Sequence, residues 1–487
     1  MSFGSALRGV FSLVWRILDG IRKALHLLLL LLIFGFLLAA LHTSIPIVPD
    51  SAALVIAPEG RLVEQVSADP LSRAIGEASG GSAHETSLRD VIDAIEAGRT
   101  DPRIKALVLK LDDLAPSGLS KLQEVGAAIR DFRKSGKPVI ATADSLDQTQ
   151  YYLAAQAGEV DLDPLGAVSI DGFSYYRMYF KNAIDKLGVD VNIFRAGTFK
   201  SYTDEYSRND MAASERQESS AWLGTLWSAY QQDVTRARAL PPGALQSYVD
   251  NEPTQLAAQQ GDMAALALQQ HLVTALKTRR QVDRELAKLV GEDSGTHSYH
   301  SISMDSYLAA VRAKHLFRSK PATRIAVVVA SGEILDGRQP PGSIGGVSTS
   351  QLLRTAQYDP AVKGVVLRID SPGGSMFASE QILRAVRRLR KAGKPVVVSM
   401  GTYAASGGYY IASAANEIFA SPTTLTGSIG VFAVVPTFQR SLAKLGISVD
   451  GIGTTPLGGM GRFDRPLSDG EKQILQSSVE HAYAQFL

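Results

Sequence analysis

The stretch at residues 395–410 reads Pro-Val-Val-Val-Ser-Met-Gly-Thr-Tyr-Ala-Ala-Ser-Gly-Gly-Tyr-Tyr, an apolar run followed by a cluster of small residues. The run at 395–399 predicts a short buried strand. Ser406 then stands between two alanines and two glycines, a pattern typical of a sharp turn that another backbone or a substrate can approach closely. The stretch therefore indicates a strand, a turn and a helix, in which Ser406 is either an incidental helix cap or a reactive hydroxyl.

Length and composition restrict the class of protein. A chain of 487 residues is too long for one ordinary core, so two or more domains are expected. The formal charge of +2 gives no reason to expect a nucleic-acid partner. The absence of cysteine excludes disulfides and a cysteine nucleophile. The eight histidines show no metal-ligand spacing, so we expect neither a metal site nor a cofactor.

An uncharged segment near the N-terminus predicts a membrane anchor. Residues 24–49 contain no Asp, Glu, Lys or Arg, and a helix needs about 20 apolar residues to cross a bilayer. Four basic residues precede the segment, whereas the next one after it is Arg61. The positive-inside rule then leaves residues 1–23 in the cytoplasm and, in a bacterium, places the body in the periplasm. We expect a single-pass inner-membrane anchor at 24–48, with a cleaved signal peptide as the alternative.

The remainder of the chain repeats itself. Residues 133–140 (RKSGKPVI) match 390–397 (RKAGKPVV), and Lys-Leu-Gly recurs at 186–188 and 444–446. Matches at nearly one offset predict a tandem duplication. We define the first copy as residues 49–320, including a helical linker, and the second copy as residues 321–487.

Each copy alternates short apolar strands with amphipathic helices. Apolar strands end at Asp112 and at Asp370, and the helix after Asp370 has one aliphatic face. Such alternation implies parallel strands with right-handed crossovers, hence an α/β fold. The second copy stops 41 residues after Gly446, so it is either naturally short or, as we expect, C-terminally incomplete.

The segment 370–375 (DSPGGS) is a candidate oxyanion site. It follows a strand and precedes a helix, so the N–H groups of Gly373 and Gly374 can stabilise a developing negative charge. A simple glycine-rich turn is the alternative. In the first copy the glycine pair is absent and Gln148 aligns with Ser406, so only the second copy keeps a nucleophile.

A serine nucleophile needs a base, and the second copy offers no histidine near it. Lys200, in the segment 194–203 (FRAGTFKSYT) of the first copy, follows a short apolar strand and aligns with Gly458 of the second. A desolvated lysine can act as a base. The complementary loss predicts one site shared between the copies, although an isolated lysine is more often simply solvated.

Together these motifs, with Leu425-Thr-Gly-Ser-Ile-Gly430, resemble the signal peptide peptidase A (protease IV) family in its double-unit form, from the anchor to the last residue. The resemblance implies a serine–lysine peptidase built of two tandem ClpP/crotonase-like units. It implies a homotetramer that degrades signal-peptide remnants and other hydrophobic peptides at the inner membrane, and a further C-terminal segment that this chain lacks. The implied roles are nucleophile for Ser406, base for Lys200, oxyanion donors for Gly373, Gly374 and Gly407, and orientation of the lysine for Ser428.

Two other functions remain open on the sequence. A crotonase-like acyl-CoA enzyme would also use paired oxyanion N–H groups. A membrane-anchored scaffold without activity would keep the fold and lose the catalytic residues, but Ser406 and Lys200 are both present.

Overall fold

The computed structural model describes residues 3–41, 45–67, 85–198, 200–316 and 321–487. Contacts divide the chain into two units, Met1–Ile47 with Ala309–Phe317 and Val48–Leu308 with Arg318–Leu487. The first unit contains helix α1 (Phe3–Leu41), which covers most of the predicted anchor. Residues 42–44 of that anchor lie outside the described residues.

In the part of the chain that the structure describes, we find no helix with both the length and the apolar character needed to cross a membrane.

The strands of the first copy are β1 (Ala52–Ile56), β2 (Arg61–Val63), β3 (Glu85–Ser87), β4 (Ile104–Lys110), β5 (Val139–Ala143), β6 (Glu159–Leu162), β7 (Asp190–Ala196), β8 (Ala275–Leu276), β9 (Glu292–Asp293), β10 (Ser298–Tyr299) and β11 (Ser301–Ser303). Six of these strands form one sheet in the order β11-β1-β4-β5-β6-β8, and all of its pairings are parallel. The α-helices of this copy are α2 (Leu88–Thr100), α3 (Leu119–Arg133), α4 (Gln148–Ala154), α5 (Lys181–Leu187), α6 (Asp204–Ser207), α7 (Ala213–Arg238), α8 (Ala244–Ala258), α9 (Met263–Gln269), α10 (Arg279–Val290) and α11 (Met304–Leu316).

The strands of the second copy are β12 (Arg324–Ser331), β13 (Ile334–Leu335), β14 (Ile344–Gly345), β15 (Val362–Ser371), β16 (Val396–Ala405), β17 (Glu417–Phe419), β18 (Leu425–Gly427) and β19 (Val431–Thr437). Five of them form a sheet with parallel pairings, in which β15 pairs with β12 and β16 pairs with β15, β17 and β18. The helices of this copy are α12 (Gly346–Tyr358), α13 (Met376–Lys391), α14 (Gly407–Ala412), α15 (Gln439–Lys444) and α16 (Asp469–Phe486).

The parallel α/β architecture predicted from the alternating pattern is confirmed. Helix α13 buries the predicted aliphatic face, including Ile382, Val386 and Leu389, because these side chains recur at helical spacing toward the sheet. The strand expected at 395–399 is longer than predicted: β16 continues to Ala405, since it pairs first with β17 and then with β18.

The two copies share one antiparallel ribbon. Strand β7 of the first copy pairs with β19 of the second along their whole lengths, from Ala196 opposite Val431 to Asp190 opposite Thr437. Lys200 lies just beyond the end of β7, and Ser428 lies just before the start of β19. The ribbon therefore brings a segment of the first copy next to the turns of the second. Apart from residues 309–317 of the first copy, both copies lie in the second contact unit, so a domain boundary at 320/321 stays a prediction.

Candidate active site

Ser406 occupies the turn between β16 and α14. Its backbone has φ 50° and ψ −119°, a conformation that L-residues with a side chain rarely adopt. The turn is held by a bond from the Ser406 N–H to the Gly427 carbonyl (2.8 Å) and by one from the Tyr410 N–H to the Ser406 carbonyl (2.9 Å). The side chain makes no capping hydrogen bond to the helix. Ser406 is therefore not an incidental cap in this structure.

Lys200 reaches Ser406 from the other copy. Its Nζ lies 2.8 Å from Ser406 Oγ, 3.1 Å from Ser428 Oγ and 3.1 Å from the Ser428 carbonyl oxygen. The residue is only 6% exposed, and burial lowers the pKa of its amine to about 8. A neutral amine has two N–H groups and one lone pair. The two N–H groups match the two Ser428 oxygens, and the lone pair can accept from the Ser406 hydroxyl.

The glycines of the segment 370–375 lie against Ser406. A Cβ on Gly373 would stand 2.7 Å from Ser406 Cβ and 2.9 Å from the Gly407 nitrogen. Its φ of 107° also favours glycine. The close approach explains why no side chain is present at this position.

The hydrogen-bond pattern modifies the predicted set of oxyanion donors. The Gly373 N–H already donates to Ser371 Oγ at 3.1 Å, because the serine side chain folds back over the turn. Within the described residues, the N–H groups of Gly374 and Gly407 donate to no protein acceptor, and both glycines line the cavity at Ser406. Of the three glycines predicted as oxyanion donors, Gly374 and Gly407 are therefore the ones whose N–H groups are available to a bound ligand.

A cavity of about 740 Å³ opens over these groups. Apolar side chains form much of its wall, while two carboxylates and one phenol add polar groups to its lining. The apolar lining residues are Ile334, Leu335, Pro372, Met376, Val431, Phe432 and Phe486, and the polar additions are Glu333, Asp336 and Tyr202. Of these residues, only Pro372 and Tyr202 lie in the motifs found from the sequence; the others come from separate strands and turns that no local motif connects.

Arg177 stabilises the loop that follows Lys200. Its guanidinium donates to the Ser201 carbonyl (3.3 Å) and the Tyr202 carbonyl (3.0 Å). It also pairs with Glu215 at 2.5 Å and Glu205 at 3.3 Å. The guanidinium thus links the backbone of the loop after Lys200 to two carboxylates through several hydrogen bonds at once. No sequence signal distinguished this arginine from a solvated one.

A cluster of three carboxylates away from Ser406 has the spacing of a metal site. Glu159, Asp161 and Glu285 bring oxygens within 4.8 Å of one another. The Lys277 ammonium, however, lies 2.6 Å from both Glu159 and Glu285 and 3.3 Å from Asp161. A lysine therefore already supplies the positive charge that these carboxylates need, far along the chain from Ser406.

Known proteins resemble this chain over most of its length. The protein is 37% identical over 493 residues to Protease 4 of Salmonella typhi, which covers 99% of this chain and 78% of that protein. It is 41% identical over 401 residues to Protease 4 of Haemophilus influenzae, with coverages of 82% and 65%. It is 28% identical over 395 residues to the chloroplastic serine protease SPPA of Arabidopsis thaliana, with coverages of 79% and 56%. The chain thus spans 56–78% of the length of these relatives.

Among solved structures, a membrane-bound stomatin-specific protease is similar with a TM-score of 0.28 and 9% identity, covering 52% of this chain and 97% of that one. That similarity is too weak to support a conclusion. The model of peptidase family S49, in contrast, matches residues 131–291 and 388–487, which is more than half of the sequence. The chain therefore belongs to peptidase family S49 and is a serine peptidase.

Proposed function

We propose that the protein is a membrane-anchored serine endopeptidase that degrades cleaved signal peptides and other hydrophobic peptides through a Ser406–Lys200 dyad. The observation that carries the proposal is the 2.8 Å distance between Lys200 Nζ and Ser406 Oγ inside a cavity. A hydrogen bond between a nucleophile and a desolvated base is what nucleophilic catalysis requires.

In the proposed first half of the reaction, neutral Lys200 accepts the hydroxyl proton while Ser406 Oγ attacks the peptide carbonyl carbon. A new C–O bond forms, and the carbonyl oxygen becomes an oxyanion. The protonated amine then gives its proton to the leaving nitrogen, and the C–N bond breaks. The product is an acyl-enzyme ester on Ser406 and a released amine.

The oxyanion is stabilised by the N–H groups of Gly374 and Gly407, which line the cavity and have no protein acceptor among the described residues. Gly373 joins them only by exchanging Ser371 Oγ for the oxyanion. In the second half of the reaction Lys200 deprotonates a water molecule, which hydrolyses the ester. Ser428 keeps the amine oriented through both halves.

The substrate class follows from the wall of the cavity. Its apolar residues favour aliphatic or aromatic peptide side chains, because burial of apolar surface is favourable. A hydrophobic peptide in or at a membrane has such side chains in abundance. The uncharged segment 24–48 anchors the protein in the bacterial inner membrane, and the body with its dyad lies in the periplasm.

The proposed assembly is a homotetramer of chains, each with two ClpP/crotonase-like units. The ribbon of β7 and β19 joins the copies within one chain. The duplicated positions of these strands, 448–454 and 173–179, form no strand. Residues 448–454 are all exposed, with Ile452 at 105%, whereas in the other segment residues 174–176 and 178 are exposed, with Tyr176 at 90%. Pairing of 448–454 with 173–179 of the next chain repeats the internal ribbon head to tail, and head-to-tail contacts form a ring when the rotation between neighbouring chains closes.

The assembly is tested by light scattering of the purified protein. Substitution of Ile452 by Arg should shift the tetramer to monomer, whereas substitution of the exposed Leu165, outside both segments, should leave it intact. A wild type that is monomeric at every concentration contradicts the assembly and leaves the dyad proposal untouched.

The function is tested by hydrolysis of a hydrophobic signal-peptide fragment by the wild type, Ser406→Ala and Lys200→Ala. Both variants should lose turnover by at least about 10³-fold, since each removes a member of one catalytic unit. Circular dichroism checks that the variants are folded. Near-wild-type activity of Lys200→Ala would place the base elsewhere and overturn the dyad.

A further inference from the structure

A buried ion pair connects the first copy to the strand that carries the oxyanion glycines. Lys121 on α3 places its Nζ 2.5 Å from Asp370 Oδ2, and each side chain is only 9% exposed. Asp370 lies in β15, three residues before Gly373. The pair thus joins a lysine of the first copy to the oxyanion segment of the second, separately from Lys200.

Asp370 also ties two strands together where their pairing is irregular. The register of β15 and β16 shifts between Ile369 and Ser371. At this place Asp370 Oδ1 accepts the Tyr403 N–H at 3.0 Å. Tyr403 precedes Ser406 by three residues on the nucleophile strand. One carboxylate therefore holds the end of the oxyanion strand to the end of the nucleophile strand.

The main chain around Asp370 leads directly to Gly373. The Gly332 N–H donates to the Asp370 carbonyl at 3.0 Å, and the Ile334 N–H donates to the Gly373 carbonyl at 2.9 Å. The segment 332–334 therefore runs beside the segment 370–373 and is hydrogen-bonded to both of its ends. Asp370 and Gly373 are thus both hydrogen-bonded to the same three-residue segment.

The first copy has the carboxylate tie without the buried lysine. Asp112, just after β4, accepts the N–H of Asp144, just after β5, at 2.8 Å through its Oδ1. This bond corresponds to the one between Asp370 and Tyr403. The cation of Asp112, Arg279, is 3.9 Å away and 68% exposed. The tie is thus common to both copies, whereas a buried counter-ion occurs at the copy that holds Ser406.

We infer that Lys121 and Asp370 are positioning residues of the Ser406 site: their ion pair fixes the spacing between the oxyanion glycines and the nucleophile. The inference rests on the proposed function, since it assigns a role within that reaction. Without its lysine partner the buried carboxylate is an uncompensated charge, and the rearrangement that relieves it changes its hold on Tyr403. Oxyanion stabilisation is sensitive to such displacements, because the donors act only at hydrogen-bond distance.

The decisive variant is the double substitution Lys121→Met with Asp370→Asn, which leaves no buried charge unpaired and keeps an oxygen acceptor for Tyr403. We expect kcat for a peptide to fall about 10-fold or more while KM changes less than about 3-fold, as for a group that acts on the transition state. The pH midpoint of activity should not move, because Lys200 is untouched. Lys121→Arg, which keeps the charge, should retain most of kcat.

A matched control is available on the same strand. Glu64 of the first copy pairs with Arg368 of β15 at 2.7 Å and is 7% exposed. Glu64→Gln therefore perturbs a second buried ion pair between the copies without touching Asp370. It should lower the melting temperature with little change in kcat, because its pair does not hold the oxyanion segment.

The rate of Ser406 labelling by a fluorophosphonate provides a second readout, since its tetrahedral product also needs the oxyanion donors. Labelling should slow in parallel with kcat in the double variant. Equal labelling and equal kcat in the double variant and the wild type would overturn the positioning role, as would an equal loss of kcat in Glu64→Gln. A wild type that is neither active nor labelled at Ser406 would instead refute the proposed function.

Discussion

Gly373 packs so closely on the nucleophile that a methyl group at residue 373 would stand 2.7 Å from Ser406 Cβ. The same methyl group would meet the Gly407 nitrogen, one of the proposed oxyanion donors, at 2.9 Å. The oxyanion segment and the nucleophile turn therefore fit together only with glycine at this position.

Gly373→Ala should abolish peptide hydrolysis, with a loss of at least about 10²-fold in kcat, because the turn that carries Ser406 must move away from its donors. The control is Gly393→Ala, where φ is 77° and no atom lies within 4 Å of an added Cβ. That variant carries the backbone strain of a left-handed alanine without the clash. It should lose some stability and keep kcat; equal activity of both variants would show that the contact at Gly373 is unimportant.

The activity should depend on pH through Lys200. Burial lowers the pKa of this amine to about 8, and only its neutral form can accept the Ser406 proton. The value of kcat/KM should rise about 10-fold per pH unit below pH 8 and level off above it, so that about a tenth of the maximum remains at pH 7. A pH profile of hydrolysis measures this, and full activity below pH 6 would contradict a neutral lysine base.

Removal of the buried amine should stabilise the fold. The Lys200 pKa is about 8 in the folded protein against an ordinary 10.5, so the unfolded chain binds more protons between these values and stability rises with pH there. Below pH 8 the folded protein bears the full free-energy cost of burying the charged amine. Lys200→Met should therefore raise the free energy of unfolding at pH 7 by about 2 kcal/mol after the loss of hydrogen bonds to Ser428.

Denaturant titrations at pH 7 and pH 11 check this gain. It should disappear at pH 11, where the amine is neutral in both states. Lys134→Met serves as the control, because that side chain is 75% exposed and its charge is already solvated. A gain of equal size at both pH values would mean that the extra stability comes from apolar packing, not from loss of the charge.

Ser428 should matter for the rate and little for binding. Its hydroxyl is one of two Ser428 oxygens at 3.1 Å from Lys200 Nζ. Ser428→Ala keeps the carbonyl contact and should lower kcat by about 10-fold at unchanged KM, the effect of one lost hydrogen bond. Ser413→Ala is the matched control, because the Ser413 hydroxyl donates to the Tyr410 carbonyl at 2.7 Å within its own helix end. An equal effect in the two variants would remove the special role of Ser428.

The local parts of the site were predictable from the sequence. The strand before Ser406, the glycines before α13 and the parallel sheets follow from apolar periodicity and small-residue clusters. Lys200 was found because the two copies had lost complementary residues. The structure brings Lys200, Ser406 and Ser428 together, and their catalytic roles stay predictions.

The rest depends on contacts between distant segments. The hydrogen bond from the Gly373 N–H to Ser371 Oγ depends on a side-chain rotamer that no sequence pattern encodes. The clamp by Arg177 joins the loop after Lys200 to Glu215, and arginines at these spacings are usually solvated. The pairing of β7 with β19 joins strands more than 200 residues apart, whereas hydrophobic periodicity reports only which face of each strand is buried.

The ribbon of β7 and β19 has a consequence for the order in which the protein is made. Lys200, the proposed base, follows β7, and the partner of β7 ends at Thr437, so the complete ribbon forms only after the ribosome has passed that residue. A growing chain with only its first copy carries a lysine and no nucleophile. The connectivity thus sets an order of synthesis in which the two side chains of the proposed dyad meet only after the second copy has been made.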